Sequence, residues 1–237
     1  SQQKQTNHRI GLALSEWGVW YRKGHKDDLD EVYNLKDALV FASSMNLLLR
    51  FCRTLDFSHQ SMLVNCVGLM RTKPDALVKQ TVYYPFILFA KETGDVVLAP
   101  EVWSDGFSCK DYRYFPWPTF DVGKDNFQMD ESSVPEIHNV PYLDVSATYD
   151  SKENKICIIA VNRHPEKTLS ASIELRGYRH KDTVSVSVVN GPDIYSINDF
   201  DEENVKMEQY QEKIKSDTDL QWDFPAHSIT MLKIQNS

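Results

Sequence analysis

The sequence predicts an α/β segment followed by an all-β segment. Three observations carry that expectation. Residues 8–93 alternate strand-like and helix-like patterns twice, which is the mark of a parallel sheet. Residues 142–234 break into short strand-like runs bounded by turn residues, as a β-sandwich does. Between them, residues 104–140 are rich in proline and aromatics and follow neither period.

The elements follow in order. His8–Glu16 (HRIGLALSE) is apolar toward both faces through Ile10, Leu12, Ala13 and Leu14, the pattern of a buried parallel strand. Residues 17–34 form a polar, aromatic loop. Leu35–Arg53 is a helix, with Leu35, Ala38, Leu39, Ala42, Met45, Leu48 and Leu49 on one face. Asn34 suits its N-cap, and Asp37 lies in the first turn, where the dipole favours it. Ser61–Val67 reads as a second strand, and Pro74–Lys91 as a second helix interrupted at Pro85. Val96–Trp103 reads as a strand. Further strands are expected at 142–149, 155–162, 169–175, 183–189 and 228–234, with alternation clearest in SASIELRG and TVSVSVV. The expected boundary divides residues 1–94 from 95–237.

The chain holds 237 residues, with 26 Lys+Arg against 34 Asp+Glu and a formal charge of −8. That balance argues against nucleic acid and against an anionic membrane surface as partners. At 41% hydrophobic and 25% charged, the composition suits a globular protein with a core. No apolar run nears the roughly 20 residues of a membrane span, and no signal peptide is visible. Cys52, Cys66, Cys109 and Cys157 form no CxxC pair, and no Asn-X-Ser/Thr site occurs, which fits a reducing compartment.

Two βα units cannot close a sheet alone. A (β/α)8 barrel needs eight strands and about 250 residues. Two βα units followed by a sandwich look like the end of such a barrel, followed by its companion domain. Barrel enzymes place catalytic groups at the C-terminal ends of strands, and Glu16 holds such a position. It stands in Ser15-Glu16-Trp17-Gly18-Val19-Trp20-Tyr21. A carboxylate beside aromatic rings is what a sugar site requires, because the carboxylate engages the anomeric carbon and the rings pack on sugar faces. The same residues also fit a strand-end glutamate in a salt bridge, with Trp and Tyr in the core.

The runs SEWGVWYR, YNLKDALVFASSMNLLLRF, MLVNCVGLM and KQTVYYPF resemble the family 51 glycoside hydrolases, the α-L-arabinofuranosidases. VPYLDVSATYD, ICIIAVNRHPEKTLSASIELRG and FPAHSITMLKI resemble that family's C-terminal β-sandwich. The resemblance runs collinearly from about His8 to Ile234. It implies the C-terminal part of a (β/α)8 TIM barrel, strands 7 and 8 with their helices, followed by a jelly-roll-like antiparallel sandwich. It also implies retaining hydrolysis of terminal α-L-arabinofuranosyl groups from arabinan, arabinoxylan and their oligosaccharides. Glu16 aligns with the family's nucleophile, Trp20 with a tryptophan walling the arabinose site, and Gln80 with a glutamine that hydrogen-bonds the sugar. Asn65 matches the pattern without a definite role. Members often carry Asp and Asn where this chain has Ser15 and Gly18, which bears on substrate preference more than on reaction type. The family's acid/base is a Glu after an Asn, and this chain contains no Asn-Glu pair. The resemblance further implies a cytoplasmic homo-oligomer, and either a partner supplying the missing barrel portion or self-association.

Other motifs are silent. The seven histidines show no metal-ligand spacing, and no P-loop, GxGxxG or GxSxG occurs, so no metal and no cofactor is expected. His59, near the second strand, is within reach of the site but fits a surface or loop role better, and His164 falls in a sandwich turn. The aromatic segment 103–127 is expected to pack rather than to bind sugar. The acidic runs 27–31 and 199–203 read as solvated loops. The competing class is a non-catalytic carbohydrate-binding or assembly subunit that uses the sandwich and its aromatics.

Overall fold

The computed structural model describes residues 10–21, 31–110, 112–114, 132–134, 136–214 and 219–237. β1 (Leu12–Trp17) leads to α1 (Leu35–Arg50) and then to β2 (Leu55–Gln60), which pairs with β1 in parallel. This is one βα unit closed by a second strand. Helix α1 begins in a complete capping box. The Asn34 side chain accepts from the Asp37 N–H, and the Asp37 carboxylate accepts from the Asn34 N–H. The apolar residues of β1 and β2 stand in solvent, Leu12 at 61% and Phe57 at 48% exposure. β1, whose sequence is apolar on both faces, is exposed from Leu12 to Glu16.

The next stretch corrects two expectations. The strand that pairs with β1 is LDFSHQ, upstream of the expected Ser61–Val67. Its polar residues hid it, and only the short β3 (Met62–Val64) lies in the expected window. The expected helix over 74–91 is half hairpin. β4 (Gly68–Lys73) turns at Pro74-Asp75 into β5 (Ala76–Lys79), and β3 pairs with β4 in parallel. Helix α2 (Tyr83–Glu92) follows, with Pro85 in its first turn. There the missing N–H has no intrahelical partner to lose, so Pro85 does not interrupt the helix. The parallel β3–β4 pairing without a crossover rests on left-handed backbone at Asn65 and Val67. Gly68 is required: a Cβ there would lie 2.6 Å from the Val64 carbonyl carbon.

The expected strand 96–103 shrinks to β6 (Val96–Leu98). Residues 103–142 form a unit of their own. It holds β7 (Gly106–Cys109), β8 (Tyr112–Tyr114), β9 (Ser132–Val134) and β10 (Ile137–Pro141), with β7 antiparallel to β10 and β8 antiparallel to β9. Phe107 packs on Tyr142 at 5.0 Å, but Trp103 is 83% exposed, against the expectation that this segment packs. Most of its other aromatics fall outside the described residues.

β11 (Leu143–Asp150), β12 (Lys155–Asn162), β13 (Leu169–Glu174), β14 (His180–Asn190) and β17 (Ser228–Asn236) lie where expected. β15 (Lys206–Lys213) and β16 (Asp219–Phe224) are additional. β15 is an edge strand of Lys, Glu and Gln, the composition that protects edges and conceals them from pattern reading. The main sheet runs β15-β14-β17-β12-β11-β6, all antiparallel, and β13 pairs with β16 in a second sheet. Leu220, Trp222 and Phe224 of β16 close the sandwich over Ile156, Ile158, Ala160, Leu232 and Ile234. The opposite face of the main sheet, Cys157, Ile159, Val161, Ile229 and Met231, packs on Leu35, Ala38, Leu39 and Ala42 of α1 and on Tyr84 and Leu88 of α2. Burial on both faces explains the unbroken apolar run ICIIAV. Residues 1–102 and 143–237 accordingly form a single unit.

Candidate active site

Glu16 is the penultimate residue of β1, and the chain from it to Trp20 alternates in burial. Glu16, Gly18 and Trp20 are exposed, while Trp17 and Val19 are partly buried. Both Glu16 and Trp20 are open to solvent, Trp20 at 44% exposure. Trp17 packs on Phe41 of α1 at 5.2 Å and on Phe86 of α2 at 5.9 Å. Among the described residues, Glu16 has no hydrogen-bond or ionic partner.

Backbone groups of Trp17, Val19 and Tyr21 are each held by a hydrogen bond. The Trp17 carbonyl accepts from the Ser61 N–H at 3.1 Å and from its hydroxyl at 3.3 Å. The Tyr33 hydroxyl donates to the Val19 carbonyl at 2.7 Å, and the Tyr21 N–H donates to Glu31 Oε1 at 2.9 Å. The Tyr21 hydroxyl donates to Asp37, inside the capping box of α1. Glu31 is buried, so the expected solvated acidic run ends in a structural carboxylate; residues 27–30 lie outside the described residues. Burial pushes the Asp37 carboxyl above its ordinary range, against the lowering effect of the Tyr21 and Asn34 bonds. Burial first, then Asp37, pushes the Tyr21 phenol up, and burial with Glu31 does the same to Tyr33. Both phenols stay protonated and act as donors.

Gln80 is brought to this network but not to the open side. It is wholly buried, its Oε1 accepts from the Tyr33 N–H at 3.0 Å, and its Nε2 donates to the Gly68 carbonyl at 2.8 Å. Asn65 accepts from the Thr72 N–H at 2.7 Å and shapes the β3–β4 turn. A Cβ at Gly18 would meet Phe41 and Ser61 at 3.7 Å, ordinary contact, so a larger residue fits there. His59 lies on β2, its ring stacked on Phe57 at 5.0 Å. His164 closes the turn after β12, its Nδ1 accepting from the Glu166 and Lys167 N–H groups. Among the described residues no three His, Cys, Asp or Glu side chains gather as a metal site, and no helix is long and apolar enough to cross a membrane.

Sequence reading missed the roles of Tyr21, Tyr33 and Glu31. Their partners lie 10 to 16 residues away, outside any local period. Asp37 was legible only as a helix-start residue.

Residues 15–228 match the family model described as the alpha-L-arabinofuranosidase C-terminal domain. The chain belongs to this family. Relatives of this arabinofuranosidase-domain chain include a probable alpha-L-arabinofuranosidase C of Aspergillus niger, 28% identical over 228 residues, covering 95% of this chain and 40% of the relative. Another is the intracellular exo-alpha-(1->5)-L-arabinofuranosidase 1 of Bacillus subtilis, 24% identical, covering 83% of this chain and 36% of the relative. The chain thus spans about two fifths of the length of these relatives. Among solved structures, the alpha-L-arabinofuranosidase of Thermotoga maritima in complex with arabinose matches with a TM-score of 0.80 at 23% identity, over 95% of this chain and 43% of the other. The GH51 enzyme of Thermotoga petrophila matches with a TM-score of 0.79, also at 23% identity and with the same coverage. These likenesses establish a shared fold. The match takes in the βα segment and the sandwich together, as their common core requires.

Proposed function

We propose that this chain supplies the nucleophile of a retaining glycoside hydrolase that removes terminal α-L-arabinofuranosyl residues from arabinose-containing oligo- and polysaccharides. The observation that carries the reading is the exposed Glu16, without a partner among the described residues, at the C-terminal end of a parallel strand and four residues before the exposed Trp20. The names of the relatives support it.

In this reading β1 and β2 are the seventh and eighth strands of a (β/α)8 barrel formed by residues 1–94 with polypeptide outside this sequence, and residues 95–237 form the sandwich. The uncovered apolar residues of β1 and β2 are where the neighbouring strands would pack. Glu16 attacks the anomeric carbon as the glycosidic bond breaks, and forms the covalent intermediate. A second carboxyl, about 5–5.5 Å away, protonates the leaving oxygen and then takes a proton from the attacking water. That acid/base belongs to the remainder of the barrel. Trp20 offers its ring to the sugar. Gln80 lies behind Tyr33, so its contribution passes through the loop it holds.

The test is a full-length enzyme containing this sequence, assayed on an aryl α-L-arabinofuranoside. Glu16→Gln should lower turnover by several orders of magnitude while folding is retained, and an aryl arabinofuranoside with a good leaving group should not rescue it. Undiminished turnover would refute the assignment. If instead the wild type binds arabino-oligosaccharide without hydrolysing it, the chain serves as a carbohydrate-binding subunit.

A further inference from the structure

The loop joining β14 to β15 reaches the same end of the βα unit as Glu16. A strand and the helix that follows it meet at the strand's C-terminal end, so the N-terminus of α1 lies on the site side. The loop caps that terminus. The Leu35 N–H donates to the Ser196 carbonyl at 2.9 Å and the Lys36 N–H to the Ile194 carbonyl at 2.8 Å. At the tip is Tyr195, 67% exposed. A tight turn holds it: the Tyr195 N–H donates to Asp193 Oδ1 at 2.7 Å, and the Asp193 N–H to the Ser196 hydroxyl at 3.1 Å.

One ammonium links this tyrosine to the site loop. Lys36 Nζ lies 5.7 Å from the centroid of the Tyr21 ring and 5.8 Å from that of the Tyr195 ring. Tyr21 follows Trp20 directly and is itself half-exposed. Tyr21 and Tyr195 therefore present two exposed rings with a cation between them, and Tyr21 follows the exposed Trp20 in sequence. Aromatic faces pack on the apolar faces of sugar rings, and an ammonium donates to sugar hydroxyls. The turn and the two backbone bonds fix Tyr195 before any ligand arrives, which lowers the ordering cost of binding.

We propose that Tyr195, with Lys36 beneath it, is a sugar-binding subsite for a glycan residue beyond the one at Trp20, contributed by the sandwich. It rests on the reading of Glu16 and Trp20 as a sugar site, and it makes the sandwich a determinant of preference for oligosaccharides over small glycosides.

The test titrates a full-length enzyme containing this sequence, carrying Glu16→Gln so that the ligand is not consumed, with arabinose and with a linear arabino-oligosaccharide of a few units, followed by tryptophan fluorescence. With Tyr195 intact it should bind the oligosaccharide about three- to tenfold more tightly than arabinose. Tyr195→Ala should remove that advantage and Tyr195→Phe should keep it, because the ring and not the hydroxyl carries the contact. An advantage that persists in Tyr195→Ala, or is missing with Tyr195 intact, overturns the subsite. The function assigned to Glu16 is judged separately, by hydrolysis in the full-length enzyme, and can stand when the subsite fails.

Discussion

Gln80 separates two ways of serving a sugar site. As a direct ligand, its removal would cost affinity and leave stability intact. The structure places it as a brace: it is wholly buried, with Oε1 on the Tyr33 N–H and Nε2 on the Gly68 carbonyl. Gln80→Ala leaves both backbone groups buried without a partner, at about 1–3 kcal/mol each, and opens a cavity. A loss of about 3–5 kcal/mol is expected, or roughly 6–20 °C in melting temperature for a unit of this size. Gln80→Glu supplies a sharper readout. A protonated carboxyl there can still donate to Gly68; an ionised one cannot, and burial raises its pKa in the folded state. Stability should be greatest below the unfolded carboxyl pKa of about 4.3 and be lost as pH rises through the raised folded value. Urea melts followed by circular dichroism across that range measure both variants. A Gln80→Ala protein that melts with wild type but no longer binds arabino-oligosaccharide would refute the brace and restore direct contact.

Two further outcomes follow from the packing. Gly68→Ala should destabilise by about 2–4 kcal/mol, because the new methyl meets Val64 and Asn65 backbone at 2.6 and 2.8 Å, whereas Gly18→Ala, with contacts at 3.7 Å, should stay within about 1 kcal/mol; thermal melts of the matched pair decide. At about pH 8, a thiol reagent should modify exposed Cys52 and Cys109 quickly and leave Cys157 untouched until the protein unfolds, since burial pushes its thiol up to about 12; mass spectrometry of labelled peptides before and after denaturant reads this.

Legibility tracked how locally each feature is encoded. Helix α1 and strands β11, β12 and β17 were readable because their apolar residues keep one period and turn residues bound them. β2 was not, because its sequence LDFSHQ lacks an apolar run and becomes a strand only by pairing with β1. The β4–β5 hairpin is hidden inside a helix-like pattern because ALVK fits either period, and only the Pro74-Asp75 pair marks its turn. At the site, the motif around Glu16 placed the carboxylate and Trp20 at the end of a strand. The network that orients the loop joins residues separated by 10 to 47 positions, and no periodicity carries that.

The main sheet links these levels. Helix α1 is covered on two sides. Leu35, Ala38, Leu39 and Ala42 face the sheet, while Phe41 faces Trp17 and Tyr33. At its far end Asn46 donates to the Asp144 carbonyl and accepts from the Ser146 hydroxyl, and Arg50 pairs with Asp144 at 3.0 Å. Buried polar groups joined this way fix the helix in one register against β11, since any slip strands their partners. The same helix presents Asp37 to Tyr21 and Lys36 to Tyr195. The position of the loop after Glu16 is therefore set by a helix whose own position is set by the sandwich. Swapping the sandwich for one with a different β11 surface should disturb the site even where no sandwich residue touches the sugar, and that dependence is the physical reason for treating the two segments as one functional piece.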